Sequence, residues 1–155
     1  MDRCRKHPLK RALRCDKTVL AGLAATLRLY RDPDRLEQRL PTLRLLARPV
    51  AAIAALARTL APELERRLAG RASVTVIDCA SQIGSGAQPV AVLPSAGLAL
   101  SPARPSGRAV TALAAWLRAR PVPVIGRVAE GRVVLDLRCL EDGGDLLAQF
   151  EGNAP

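Results

Sequence analysis

The sequence predicts an α+β fold: long helices first, then a small antiparallel or mixed sheet of about four strands with helices on one face. Three observations carry this. Apolar residues recur at steps of three and four between residues 16 and 70, the helical period. The period switches to two at Val74-Thr75-Val76-Ile77-Asp78, the alternation of a strand. Two further apolar runs flank Glu130-Gly131 near the C-terminus, the pattern of a hairpin. Helices followed by strands, one helix and a hairpin place both element types around one core.

The chain divides into a basic arm (1–15), a helical region (16–70), an α/β small domain (71–150) and a loose tail (151–155). Asp16 stands where an N-cap belongs and opens a helix over roughly 16–31. Val19, Leu23, Leu27 and Tyr30 are its expected buried stripe, and Arg28 and Arg31 suit the negative end of its dipole. Asp32-Pro33-Asp34 stops it, a short helical turn follows over 34–39, and a second helical region runs from 42 to about 69. Pro49 breaks that region and starts its next helix. Ile53, Leu56, Leu60, Leu64 and Leu68 continue the stripe. Pro62, inside the pattern, is expected to kink or restart the helix. Gly70 is a natural residue just past the helix end.

Ser81 to Pro89 is a Gly-rich loop, which either lets backbone approach a ligand or merely turns the chain at a sheet edge. It lacks the Gly-Lys-Ser/Thr ending of a phosphate-binding Walker loop. Ala91-Val92-Leu93 and Gly97-Leu98-Ala99-Leu100 read as two short strands with a turn between. Ser106 caps a helix over about 107–119 with Val110, Leu113, Ala114 and Leu117 inward and Trp116 at the stripe's edge. Val124–Val128 and Arg132–Leu137 form the hairpin, and Asp142 to Phe150 is a last helix weakened by Gly143-Gly144.

The formal charge is +10, from 24 Lys and Arg against 14 Asp and Glu. Lys6, Lys10 and Lys17 are the only lysines, so arginine supplies nearly all of the positive charge. Half of the excess lies in residues 1–17. Such a balance attracts RNA or other polyanions, although Tyr30, Trp116 and Phe150, the only aromatics, make few stacking platforms. Cys4, Cys15, Cys79 and Cys139 form no CxxC pair and His7 is the single histidine, so no zinc site or disulfide framework is expected. Cys15, beside Arg14 and Lys17, reads either as a thiol of lowered pKa or as a small residue at a packed turn. No secretory signal is visible, and the longest apolar run, Val50 to Ala57, is too short to span a bilayer. The expectation is a soluble, cytoplasmic protein without a membrane partner.

The sharpest candidate site is Lys6-His7-Pro8-Leu9-Lys10-Arg11-Ala12-Leu13-Arg14-Cys15-Asp16-Lys17. Arg11 and Arg14, three apart, share a face of a helical turn. Two guanidinium forks side by side suit a phosphate-like anion, and the helix start after Asp16 offers N–H groups to the same anion. The alternative is a solvated basic turn without a ligand.

The same stretch, with Ala25-Thr26-Leu27-Arg28-Leu29-Tyr30, Pro41-Thr42-Leu43-Arg44-Leu45-Leu46, Ser81-Gln82-Ile83-Gly84, Pro123-Val124-Ile125-Gly126-Arg127 and Gly131-Arg132-Val133-Val134-Leu135-Asp136-Leu137-Arg138, resembles the bacterial L-seryl-tRNA(Sec) selenium transferases (selenocysteine synthases). The resemblance covers almost the whole chain in the right order. It implies the C-terminal portion of such an enzyme, with the fold of the C-terminal small domain of aspartate-aminotransferase-class pyridoxal-phosphate enzymes. The family converts seryl-tRNA(Sec) to selenocysteinyl-tRNA(Sec) with selenophosphate, on pyridoxal phosphate bound to a lysine upstream of the His7–Arg14 segment. None of Lys6, Lys10 and Lys17 matches that lysine. The resemblance therefore implies no catalytic residue here, no covalently bound cofactor and no activity of this chain alone. Arg11 and Arg14 match the arginines that hold the selenophosphate-type anion. Ser81, Gln82, Gly84 and Gly86 belong to a loop near the active site, from whose family pattern Ser85, Ala87 and Gln88 depart. Intact members are homo-oligomers. The chain is thus expected to associate with itself or to dock on a pyridoxal-phosphate-binding large domain. A non-catalytic docking or oligomerisation module and a basic RNA-binding protein are the alternatives.

Overall fold

The structure is a computed structural model and describes residues 3, 6–83 and 92–151. Among these are six α-helices and four strands. The chain forms two compact units, residues 1–44 and 45–155.

The first unit holds α1 (Lys17–Leu29), capped by the Asp16 carboxylate, which accepts from the Val19 N–H at 2.8 Å. A 3-10 turn at Pro33–Arg35 and the one-turn helix α2 (Leu36–Arg39) follow, and α3 (Pro41–Ala47) carries the chain onward. The expected burial of α1 is overturned. Val19, Leu23, Leu27 and Tyr30 are all half or more exposed, and no described residue of this unit is buried. The helix has the predicted period, but so short a unit lacks the surface to close a core around it.

The second unit holds the core. Pro49, the N-cap residue, precedes α4 (Val50–Arg67), which runs unbroken through Pro62. The predicted restart does not occur. Pro62 lies on the exposed face, where the Arg58 carbonyl that loses its N–H partner can turn to water. On the opposite face Ile53, Ala57, Leu60 and Leu64 are buried and hold the helix on its course. The left-handed turn after α4 begins one residue before the expected glycine, with Ala69 at φ 48° and Gly70 at φ 73°.

The sheet is antiparallel, in the order β1-β2-β4-β3, with β1 (Ala72–Gln82), β2 (Val92–Pro102), β3 (Arg127–Ala129) and β4 (Arg132–Asp136). Two short strands were expected around Pro94; the structure has one continuous β2. Pairing with β4 covers only Gly97–Leu100, so Pro94, opposite Ala80 of β1, removes no bond to β4. Glu130 and Gly131, both at positive φ, make the two-residue turn of the expected hairpin, whose first strand is shorter than predicted.

In register, Val74, Leu100, Val133 and Val128 align across the sheet, as do Val76, Leu98 and Leu135. Val74, Leu98, Leu100, Val133 and Leu135 join one apolar cluster with α4 and with Val110, Leu113, Ala114 and Leu117 of α5 (Gly107–Arg118). Ser106 caps α5 as expected, accepting from the Ala109 N–H at 3.1 Å. Asp142 caps α6 (Gly143–Ala148). A Cβ at Gly143 would lie 2.7 Å from Leu60 Cδ2, so the glycine lets α6 sit tight on α4. Phe150 closes the core, its ring 5.6 Å from that of Trp116.

Candidate anion-binding site

In the first unit, His7, Pro8, Lys10, Arg11 and Arg14 line one open concavity of about 520 Å³. Pro8–Lys10 is a 3-10 turn in which His7 Nδ1 accepts from the Leu9 N–H at 3.2 Å and the His7 carbonyl accepts from Lys10. The Leu9 carbonyl accepts from Leu13 at 3.0 Å, which continues the winding past Arg11. That winding brings Arg11 and Arg14 to the same concavity, with Lys10 beside them. Among the described residues no carboxylate lines it. The helix start contributes less than the sequence suggested: Asp16 itself occupies the Val19 N–H and puts negative charge at the positive end of α1.

The Gly-rich loop begins in the second unit. Ser81 and Gln82 are the last residues of β1 rather than loop residues. Gly84 and Gly86 lie outside the described residues. The Ser81 hydroxyl donates to Asp136, whose other oxygen accepts from the Ser95 hydroxyl at 2.7 Å and the Arg138 N–H at 3.1 Å. Burial alone would raise the Asp136 pKa. Hydrogen bonds from Ser81, Ser95 and the Arg138 N–H, with the Arg138 charge, outweigh it and hold the carboxyl below its ordinary value. Cys79 lies beside this group, its thiol pushed up by burial and by the Asp136 charge, with Arg127 opposing. A thiol so placed is a poor nucleophile.

Arg138 is the part of this arrangement that sequence reasoning missed. Its guanidinium is buried and donates to the carbonyls of Leu45, Leu46, Arg48 and Pro94 and to the Ser81 hydroxyl. The only trace of this in the sequence is a pair of charges, Asp136 and Arg138, directly after the apolar run Val133–Leu135. Nothing local says that the guanidinium's partners lie 44 to 93 residues upstream.

Comparison with known proteins agrees with the resemblance. The family model described as L-seryl-tRNA selenium transferase matches residues 1–141. The chain is 57% identical over 140 residues to the L-seryl-tRNA(Sec) selenium transferase of Klebsiella pneumoniae (strain 342), covering 90% of this chain and 30% of that protein. It is 51% identical over 150 residues to the enzyme of the same name from Yersinia pestis (strain Pestoides F), covering 97% of this chain and 32% of that one. It thus spans about a third of the length of these relatives. The chain belongs to the L-seryl-tRNA selenium transferase family and corresponds to a portion of its members.

Proposed function

We propose that this chain is the C-terminal portion of an L-seryl-tRNA(Sec) selenium transferase and supplies the seat of its selenium-donor anion, a selenophosphate, in the cytoplasmic conversion of seryl-tRNA(Sec) to selenocysteinyl-tRNA(Sec). The observation that carries this reading is the convergence of Arg11, Arg14 and Lys10 on one concavity that no carboxylate among the described residues lines. Guanidinium forks offer paired N–H donors to phosphate-type oxygens, and the lysine adds a point charge. Pyridoxal phosphate, which supplies the elimination chemistry in the family, does not fit this chain. A Schiff-base lysine is activated by burial or by a neighbouring cation in a pocket, whereas Lys6, Lys10 and Lys17 are all exposed. Another portion of the intact enzyme holds the cofactor, and this chain alone is inactive.

The decisive experiment replaces the matching portion of the Klebsiella relative with this chain and follows transfer of labelled selenium to seryl-tRNA(Sec). The chimera is expected to be active, the Arg11→Gln/Arg14→Gln chimera to need far more selenophosphate, and the isolated chain to give no product. A chimera indifferent to both arginines would remove the anion-seat reading.

A second reading, a docking or self-associating module, is supported by the exposed Val19, Leu20, Leu23, Leu27 and Tyr30 on α1. An apolar helical face of this kind normally meets a partner surface. The occupant is a second copy of the chain or the cofactor-bearing portion of the enzyme.

A further inference from the structure

On the second unit, away from the Asp136 network, an open concavity of about 480 Å³ is bounded by Gly70, Arg71, Pro102–Arg104 and α5. Ala109, Ala112, Leu113 and Trp116 face it from α5, on one stripe at steps of three, one and three. The two alanines leave room, Leu113 is the buried floor, and the Trp116 indole is one wall. The Arg71 carbonyl accepts from the Ala103 N–H at 3.2 Å, which ties the start of β1 to the segment carrying Arg104. Both arginines therefore rise from adjoining backbone at the rim.

The electrostatics are one-sided. Among the described residues no carboxylate lines the concavity. Among the described residues neither Arg71 nor Arg104 is in an ion pair. The Arg71 guanidinium carbon lies 5.1 Å from the Trp116 ring centroid and that of Arg120 lies 4.1 Å from it. A guanidinium held by an indole keeps its N–H donors available for an anion. Two cations sharing one ring, with a third at the rim, repel one another until a negative group arrives.

We propose that the Arg71–Arg104–Trp116 concavity is an RNA contact, in which the two rim arginines take backbone phosphates and a ribose or base lies on the Ala109–Leu113 floor beside Trp116, whose ring faces are already met by Phe150, Arg71 and Arg120. The proposal rests on the reading above, in which the intact enzyme acts on a tRNA, and it assigns that partner a surface separate from the Arg11–Arg14 seat. The combination favours RNA over a simple anion: phosphate alone has no use for an apolar floor, whereas a nucleotide has a charged side and a flat one.

Trp116 is the only tryptophan in the chain, so its emission reports on this concavity alone. The test titrates the chain with bacterial tRNA, following fluorescence anisotropy of a labelled tRNA and Trp116 emission in parallel, at several salt concentrations. Wild-type chain is expected to show saturable binding with a matching change in Trp116 emission. Arg71→Gln/Arg104→Gln is expected to lose the emission change and to lower the slope of log affinity against log salt by roughly 0.7 per arginine removed. Arg28→Gln/Arg58→Gln, an equal loss of charge elsewhere, keeps the emission change. Circular dichroism of both variants excludes unfolding as the cause. Binding without a Trp116 response, or with equal effects of the two double variants, overturns the site. Absence of binding at low salt overturns it as well. An equal Trp116 response to polyglutamate assigns the surface to acidic proteins and overturns the RNA assignment. None of these outcomes bears on the selenium-transfer chimera, which judges the underlying reading separately.

Discussion

Arg48 and Arg138 clasp each other's backbone. The Arg48 guanidinium donates to the carbonyls of Leu137, Arg138 and Leu140 at 3.1, 3.2 and 2.5 Å. The Arg138 guanidinium donates to those of Leu45, Leu46 and Arg48 at 3.2, 3.0 and 3.0 Å. Two like charges coexist here because each is spent on carbonyl oxygens, including those at the negative end of α3. The clasp joins the approach to α4 to the segment after β4. Arg138→Ala would leave several of these carbonyls unsatisfied and should cost about 3 kcal/mol or more. Arg138→Lys should recover little of that, because one ammonium cannot reproduce the planar fork. Urea midpoints of the three proteins check this.

Asp136 predicts the acid limb of stability. Its folded pKa is below its ordinary value, so the unfolded chain takes up the proton first. Its contribution is fully present above the unfolded value, about pH 4, and is lost as the pH falls through the lower folded one. Asp136→Asn should therefore cost most stability near neutral pH, and the difference from wild type should shrink steadily below about pH 4. Thermal melts across this range would show whether the two curves converge.

Leu64 is fully buried, two residues beyond Pro62. Leu64→Ala should destabilise by roughly 2–5 kcal/mol through lost burial and the cavity left behind. Pro62→Ala should stabilise the exposed helix interior, since it restores the N–H to the Arg58 carbonyl. Chemical denaturation distinguishes the two signs. A destabilising Pro62→Ala would mean that the proline is needed for the path of α4.

The exposed face of α1 predicts association. Sedimentation velocity of the wild-type chain should show species larger than monomer as concentration rises, and Leu23→Gln/Leu27→Gln should suppress them. Both leucines are already more than half exposed, so the double variant should change the melting temperature little. A wild-type chain monomeric throughout would remove the self-associating module and leave the cofactor-bearing portion as the occupant.

The sequence alone determined the local elements. Asp16 and Ser106 announce helix starts because a cap is a matter of a few neighbouring residues. Glu130-Gly131 announces the hairpin for the same reason, and the period change near residue 72 locates the sheet. The pairing of Arg11 with Arg14 was equally legible, since three residues of winding suffice to bring them to one concavity. Tertiary structure decided what depends on distant partners. It left the α1 stripe uncovered, because a stripe records a tendency to be buried and not the surface that buries it. It carried α4 through Pro62, because the buried face outweighs one missing hydrogen bond. It made one long β2, because β1 pairs along its whole length. It also gathered Ser81, Ser95, Asp136 and Arg138 with the carbonyls of Leu45–Arg48. Hydrogen bonds across dozens of residues leave no periodic trace in a sequence. They are made where packing of the apolar faces would otherwise bury an unpaired charge.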